Sequence, residues 1–445
     1  MLKEGKIWIA SDKSGEEIFL LPEIANHNGL ITGAENKDVD LVARVLAEGF
    51  SSLGVPVFMT DIHRNLAGMM EPGIGTASVM ERLSRLGLDE SSFPFEGFPV
   101  TLWDVYGEAG IPLRINISEM GAMLMAQLLH LNDRQCGLLK VIYRIADYKN
   151  LLLIDIKDLK ATVTYVIENT RTFASEYGPM RSSDLEDILR AVVLLETNSR
   201  FLGEMSLNIS DLMLKGHGGK GVVNVLDSNL LVWDKTLYAT VLIWMLMELS
   251  ECLPDTYEPD LPRIVFFIDE AHLIFKNGNS VFLQLMNQIL PKLRRKGVGV
   301  WFCTQKIQDL PDCVVRSLEN RIQLPPNAYT TAQLKEIRAS SKYFQKNPAF
   351  NTFDEMKSLK TGQALLSLVG ANQLPAPVKS GIVLPPQSCT GPVSDSVISD
   401  CTKGGILYSK YIMTKDPESA YEILERMGVN DSKASAKLKR RNRLI

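Results

Sequence analysis

The chain has 445 residues, 45% hydrophobic and 22% charged, the composition of a globular protein with one large or two medium domains. A net charge of −4 excludes a global pull toward nucleic acid or acidic lipid, so any such contact must come from local patches. The six cysteines form no C-x-x-C pair and no cluster with histidine, which points to reduced thiols. The N-terminus lacks an apolar signal core, and the longest apolar run, Val241 to Met247, is far short of a membrane span. A cytoplasmic protein, neither secreted nor membrane-embedded, is therefore expected.

Along the chain, short apolar strands alternate with helices, the pattern of an α/β domain with a mostly parallel central sheet. A strand is predicted over 29–33, a helix over 39–53 (Leu41, Val42, Val45 and Leu46 share one face), and a strand over 55–61. Residues 118–215 interrupt the alternation with helical stretches such as Met120 to Leu131 and Leu159 to Tyr177, read as a helical insertion. Strands at 222–227, 264–269, 298–304, 320–324 and 364–369 follow, with helices at 237–252, 280–296 and 331–340. From Leu384 an extended strap is expected, then a short helix from Pro417 to Met427. The basic tail (Lys433, Lys437, Lys439, Arg440, Arg441, Arg443) could touch nucleic acid or a partner, but a frayed, solvated end is the favoured reading. The expected organisation is thus a first core segment (1–117), the insertion (118–215), a second core segment (216–383) and the strap, helix and tail (384–445).

Three motifs carry chemistry. Where a phosphate-binding loop would read G-x-x-x-x-G-K-[ST], the chain has Gly33-Ala34-Glu35-Asn36-Lys37-Asp38-Val39-Asp40. Only the first glycine remains; Asp38, Val39 and Asp40 replace the second glycine, the lysine and the hydroxyl. Clustered backbone N–H groups, a lysine and a helix N-terminus are what hold a triphosphate. A carboxylate about 4 Å from a phosphate charge opposes it by roughly 4 kcal/mol at an effective dielectric near 20. Asp38 is expected instead to cap a helix starting near Val39, and Lys37 stands two positions early for a substitute lysine. The second motif, Ile264 to Ile268 running into Asp269-Glu270, is a buried strand delivering two carboxylates to its C-terminal edge, where ligands sit in open α/β sheets. In a P-loop ATPase such a pair holds hydrated magnesium (Asp269) and polarises the attacking water (Glu270). Chance can also end a buried strand in Asp-Glu. The third motif ends the next strand in Thr304-Gln305, the position of a γ-phosphate sensor, although a strand-terminal Gln can equally serve a turn. Lys215-Gly216-His217-Gly218-Gly219-Lys220-Gly221 precedes a strand instead of opening a helix and reads as a connector. His272 reads as a packing residue, and the remaining histidines show no metal spacing.

The run Leu20 to Ala34 resembles the opening of the bacterial HerA-helicase-like ATPases, the group matching the C-terminal domain of HerA. Gly54 to Asp61, Val265 to Leu273, Lys296 to Gln305 and Glu418 to Glu422 are similar to the same family, so the resemblance spans roughly residues 16–427. It implies a RecA-like P-loop NTPase core of the HerA/FtsK type, a ring hexamer with ATP and magnesium between subunits, and DNA in the channel. It also implies that Arg294, before Lys296-Gly297, reaches a neighbouring subunit's nucleotide. The chain departs from the family at Asp38-Val39-Asp40, at Asp61-Ile62-His63-Arg64-Asn65 (typically Asp-Val-Lys-Gly-Asp) and at Asn327 (typically arginine). ATP and magnesium are therefore expected to bind weakly or not at all. The favoured expectation is a pseudo-ATPase acting as an assembly or DNA-associated scaffold, either a homo-oligomer or a mixed ring with an active homologue. The alternative is an active ATP-driven DNA translocase or helicase.

Overall fold

The computed structural model describes residues 1–256, 261–275, 280–391 and 393–429, so the basic tail lies outside the described residues. The chain divides into two compact units, Met1–Trp103 with Asn208–Gly405, and Asp104–Leu207 with the chain from Ile406 onward.

The first unit is built on one large sheet. Its centre runs in the order Asn320–Gln323, Gly29–Thr32, Val298–Thr304, Ile264–Ile268, Val57–Asp61, Val223–Asp227, and every pairing in that series is parallel. Antiparallel strands extend it beyond Asn320–Gln323: Gln363–Ser367, Lys379–Val383, then Lys6–Asp12. The strands expected to be neighbours are neighbours, in a register that sets Cys303 beside Ile31, Val300 beside Phe266, and Phe267 beside Met59. The central strands Gly29–Thr32, Ile264–Ile268 and Val298–Thr304 are buried at every position, as parallel strands covered on both faces must be.

One face of the sheet is covered by the helix Asn36–Ser52. Val39, Val42, Ala43, Leu46, Ala47 and Phe50 pack on Ile31, Met59, Val265, Phe267, Trp301 and Cys303. Phe267 and Trp301 stack with ring centroids 5.9 Å apart. A Cβ at Gly29 would lie 2.2 Å from the Trp301 ring, so only glycine lets the strand cross it. The helix Lys235–Cys252 is buried along most of its length, from Leu237 to Leu246 and again at Leu249. Burial within the unit explains its apolar run, and no described helix is long and apolar enough to cross a membrane.

The second unit is mainly helical. Ile117–Leu128, Asp133–Tyr148, Ile156–Glu168, Thr170–Tyr177 and Ser182–Leu195 form its first part. The single helix expected from Leu159 to Tyr177 is two, divided at Asn169. Asp158, almost fully buried, accepts hydrogen bonds from Ser419 Oγ (2.6 Å) and Tyr421 N (2.8 Å), which ties the helix Ala420–Arg426 to this bundle.

Two expectations need correction. The first sheet-covering helix begins at Asn36, not near Val39. The expected strap is extended only near its start; helices follow at Asp395–Gly404 and Ile406–Tyr411. Partly buried Ile398 packs on the main core and Thr402 is buried, so tertiary contact supports helix in a segment of weak propensity.

Candidate functional site

Because the central strands are parallel, their C-terminal ends share one edge. That edge gathers the 33–40 loop, Asp61, Asp269-Glu270 and Gln305. Gly33 N donates to Thr304 O (3.4 Å) and Ala34 N to Pro325 O (3.1 Å), so the loop is pinned to two neighbouring chain segments. A Cβ at Gly33 would sit 2.8 Å from Leu324 Cβ, which accounts for the one loop glycine that remains.

The side chain of Asn36 bridges the other two motifs. Its Nδ2 donates to Glu270 Oε1 (2.8 Å), while its Oδ1 accepts from Gln305 Nε2 (3.2 Å). Asn36, Glu270 and Gln305 are therefore brought together as one polar chain. Glu270 has φ +43°, a left-handed conformation that costs a non-glycine residue about 1–2 kcal/mol. His272 Nδ1 lies 2.8 Å from Glu270 Oε2, nearer the site than a packing role implies. Asp269 is held through its backbone: its N donates to Thr60 Oγ1 (2.8 Å), and its carbonyl accepts from Tyr238 OH (2.7 Å). Neither Thr60 nor Tyr238 was singled out by sequence. Thr60 ends a neighbouring strand and Tyr238 lies on a buried helix, and only the fold unites them.

Carboxylates dominate the rest of the edge. Burial pushes Asp40 up to about 6, opposed by the hydrogen bond from Asn65 and the charges of His63 and Arg44, and reinforced by Asp61. Asn65 Nδ2 donates to Asp40 Oδ2 at 3.3 Å. Asp269 is pushed well above the ordinary carboxylate range by burial, and Asp40 and Glu270 push it further. Burial also raises Asp61, although Leu66 N (2.7 Å) and Asn65 N (3.2 Å) donate to it. Asp38 is raised by burial, with Arg82 and Lys37 opposing.

The expected capping role of Asp38 is not what the structure shows. The residue preceding the helix is Glu35, which makes no side-chain cap, and Asp38 stands inside the first turn. There its charge favours the helix dipole but occupies the end a phosphate would need. Lys37 is exposed, and Val39 is buried in the core.

Arg294 is elsewhere. It lies in the last turn of the helix Ser280–Arg295, just before the strand Val298–Thr304, hence at the opposite, N-terminal edge of the sheet. It donates to Glu319 Oε2 (3.2 Å) and to His27 Nε2 (2.6 Å), leaving His27 Nδ1 to donate to Glu319. Burial raises Glu319, but the His27 hydrogen bond and the nearby positive charges outweigh it and hold the carboxyl below its ordinary value. These residues line a cleft of about 530 Å³ with Asn26, Asp255 and Arg295. Within one chain Arg294 does not meet Asp269, Glu270 or Gln305. The Lys215 to Gly221 segment connects to the strand Val223–Asp227, and Lys220 is paired with Glu96 at 2.7 Å.

A nucleoside triphosphate with magnesium does not fit this set of residues. Buried Val39 stands at the lysine position and Lys37 is two positions early, two raised carboxylates stand at the helix end, and the Asn36 carboxamide spans the space between Glu270 and Gln305.

No curated protein sequence matches the chain. Among solved structures, the bacterial conjugative coupling protein TrwBΔN70 superposes with a TM-score of 0.56 at 11% identity, covering 88% of this chain and 92% of that one. VirB4 of Thermoanaerobacter pseudethanolicus gives 0.51 at 14% identity, covering 86% and 97%. TrwB in complex with the non-hydrolysable ATP analogue ADPNP gives 0.53 at 12% identity, covering 83% and 87%. At these identities the likeness is one of fold. The family model described as Helicase HerA-like C-terminal matches residues 6–443, and with the parallel sheet and its motif-bearing edge this makes the chain a member of that family, a P-loop NTPase fold of the HerA/FtsK type.

Proposed function

We propose that this protein is a pseudo-ATPase: it keeps the P-loop NTPase fold and acts as an assembly or DNA-associated scaffold without turning over ATP. The observation that carries the reading is the Glu270–Asn36–Gln305 chain, in which the water-polarising and sensor positions are hydrogen-bonded to a residue of the loop itself. The loop carboxylates support it, since phosphoryl transfer depends on positive charge placed where negative charge develops. TrwB has been crystallised with ADP and Mg2+ and with ADPNP, so the fold admits nucleotide where the loop permits. In this chain Asp269 is the residue that would hold the metal, and burial with the nearby Asp40 charge raises its carboxyl well above the ordinary range, which favours the protonated form over the metal-binding carboxylate. Loss of turnover need not remove assembly. In rings of this family subunits meet across the nucleotide edge, which supports proposing the scaffold as a homo-oligomer, a hexamer, or a mixed ring with an active homologue, with Arg294 meeting the neighbour. Retention of Asp269, Glu270 and Gln305 at one edge favours the second reading, an active DNA translocase. Phosphate release separates the two. Background release with and without magnesium supports the scaffold, whereas magnesium-dependent release abolished by Glu270→Gln establishes the motor.

A further inference from the structure

The excursion between the strands Asn320–Gln323 and Gln363–Ser367 folds as a small lobe of the first unit. Its helix Thr331–Ser340 opens with a capping box between Thr330 and Gln333, continues into the single turn Ser341–Tyr343, and is followed by the helix Thr352–Ser358. Ile337, Phe344 and Met356 are its buried apolar residues. The Arg338 guanidinium lies 4.7 Å over the Phe353 ring and joins the two helices.

The charge of this lobe runs against that of the chain. Residues 327–360 carry six cations (Lys335, Arg338, Lys342, Lys346, Lys357, Lys360) against three carboxylates (Glu336, Asp354, Glu355), whereas the whole chain is net −4. Two of those carboxylates are neutralised from outside the lobe, Glu336 by Lys306 and Glu355 by Lys13, each at 2.9 Å. Only Asp354 remains. All six cations are exposed, and among the described residues none of them is in an ion pair. Spacings of three and four put Lys335, Arg338 and Lys342 on one helical face. Just before the helix stands Tyr329, 88% exposed, with its backbone N anchored to Gln333 Oε1 at 2.9 Å. A solvated helix face would mix its signs; this one has an excess of fixed positive charge beside a bare aromatic ring.

We infer that this lobe is a binding surface for single-stranded nucleic acid, with Lys335, Arg338 and Lys342 on the phosphates and Tyr329 stacked on a base. The inference rests on the DNA-associated part of the scaffold reading and is independent of ATP. An unstacked base gives Tyr329 a partner that a duplex does not, so single strands bind more tightly than duplex of the same length.

The test is fluorescence anisotropy of the full chain with labelled DNA and RNA strands of about thirty nucleotides, and with duplex DNA, between about 50 and 200 mM salt. The triple variant Lys335→Glu, Arg338→Glu, Lys342→Glu is expected to lose at least about tenfold in affinity, and its salt slope to fall by about 2, near 0.7 per phosphate contact. Tyr329→Ala should weaken binding about fivefold or more with the slope unchanged. Lys140→Glu with Arg144→Glu, exposed cations of the other unit, should bind as the parent does. If the triple variant misfolds by circular dichroism, Lys342→Glu alone gives the same reading with a slope change of about 0.7. Parent binding that the lobe variants leave intact overturns the inference and spares the scaffold. A parent that binds no nucleic acid, or binds phosphatidylserine vesicles instead, overturns the inference and removes the DNA-associated part of the scaffold, while the absence of ATP turnover is read separately.

Discussion

Asn36, Asp40 and Glu270 show how single residues change what an inherited edge can do. Asn36 gives both ends of its carboxamide to Glu270 and Gln305. Asn36→Ala strands both and is expected to lower stability by about 1–2 kcal/mol in urea unfolding. A value at or above the parent's would mean the contact is incidental. Asp40 makes a pH prediction. Its carboxyl is raised to about 6 in the folded chain from about 3.8, so the folded state binds the proton more tightly. The stability linked to that proton is fully present below the unfolded value and is lost as pH rises through the folded one. Asp40→Asn, which can still accept from Asn65, should therefore raise the unfolding free energy more at pH 7.5 than at pH 4.5, by about 1–3 kcal/mol at the higher pH in urea unfolding. An equal gain at both pH values would contradict the assignment.

At the scale of elements, packing between segments decides more than local preference. The strands were legible because Leu30-Ile31, Val265 to Ile268 and Val300 to Phe302 are apolar runs bounded by turns, and because a fully buried parallel strand has no other appearance. The first turn of the helix Asn36–Ser52 was not legible. Asn36, Lys37 and Asp38 read as loop, yet they are helical because that turn faces the polar edge of the sheet instead of its core. The helices between Asp395 and Tyr411 were missed for the related reason that their few apolar residues have meaning only against the core they meet. Before those helices, the segment at Gln387 and Ser388 is latched by Glu48, fully buried, which accepts from Gln387 N (2.8 Å), Ser388 N (3.0 Å) and Ser388 Oγ (2.5 Å). Glu48→Ala leaves three donors without an acceptor and should cost about 3 kcal/mol or more, with faster hydrogen exchange at 387–391. A loss below about 1 kcal/mol would show that the latch is dispensable. Gly29→Ala should likewise cost about 1–3 kcal/mol, since its Cβ would lie 2.2 Å from the ring of fully buried Trp301.

For the whole molecule, the family and the parallel sheet could be read from motif order along the chain, and both hold. What the order could not give is the chemistry of the edge. The Asn36 bridge, the hold of Thr60 and Tyr238 on Asp269, and the mutual repulsion of Asp40 and Asp269 join residues more than thirty positions apart in the chain, up to 269 for Asn36 and Gln305. They arise only when the strands align. Assembly is tested apart from nucleotide: native mass spectrometry at micromolar concentration should show a multiple of the 49.6 kDa chain without added ATP. A lone monomer, with and without DNA, would leave only the mixed ring with an active homologue. Isothermal titration of the protein with ATP and magnesium reads out whether this edge still works as an ATP site. The parent chain is expected to give no measurable heat of binding, and the variant Asp38→Gly, Val39→Lys, Asp40→Thr to gain binding. Micromolar binding by the parent, weakened by Asp269→Ala, would contradict that expectation.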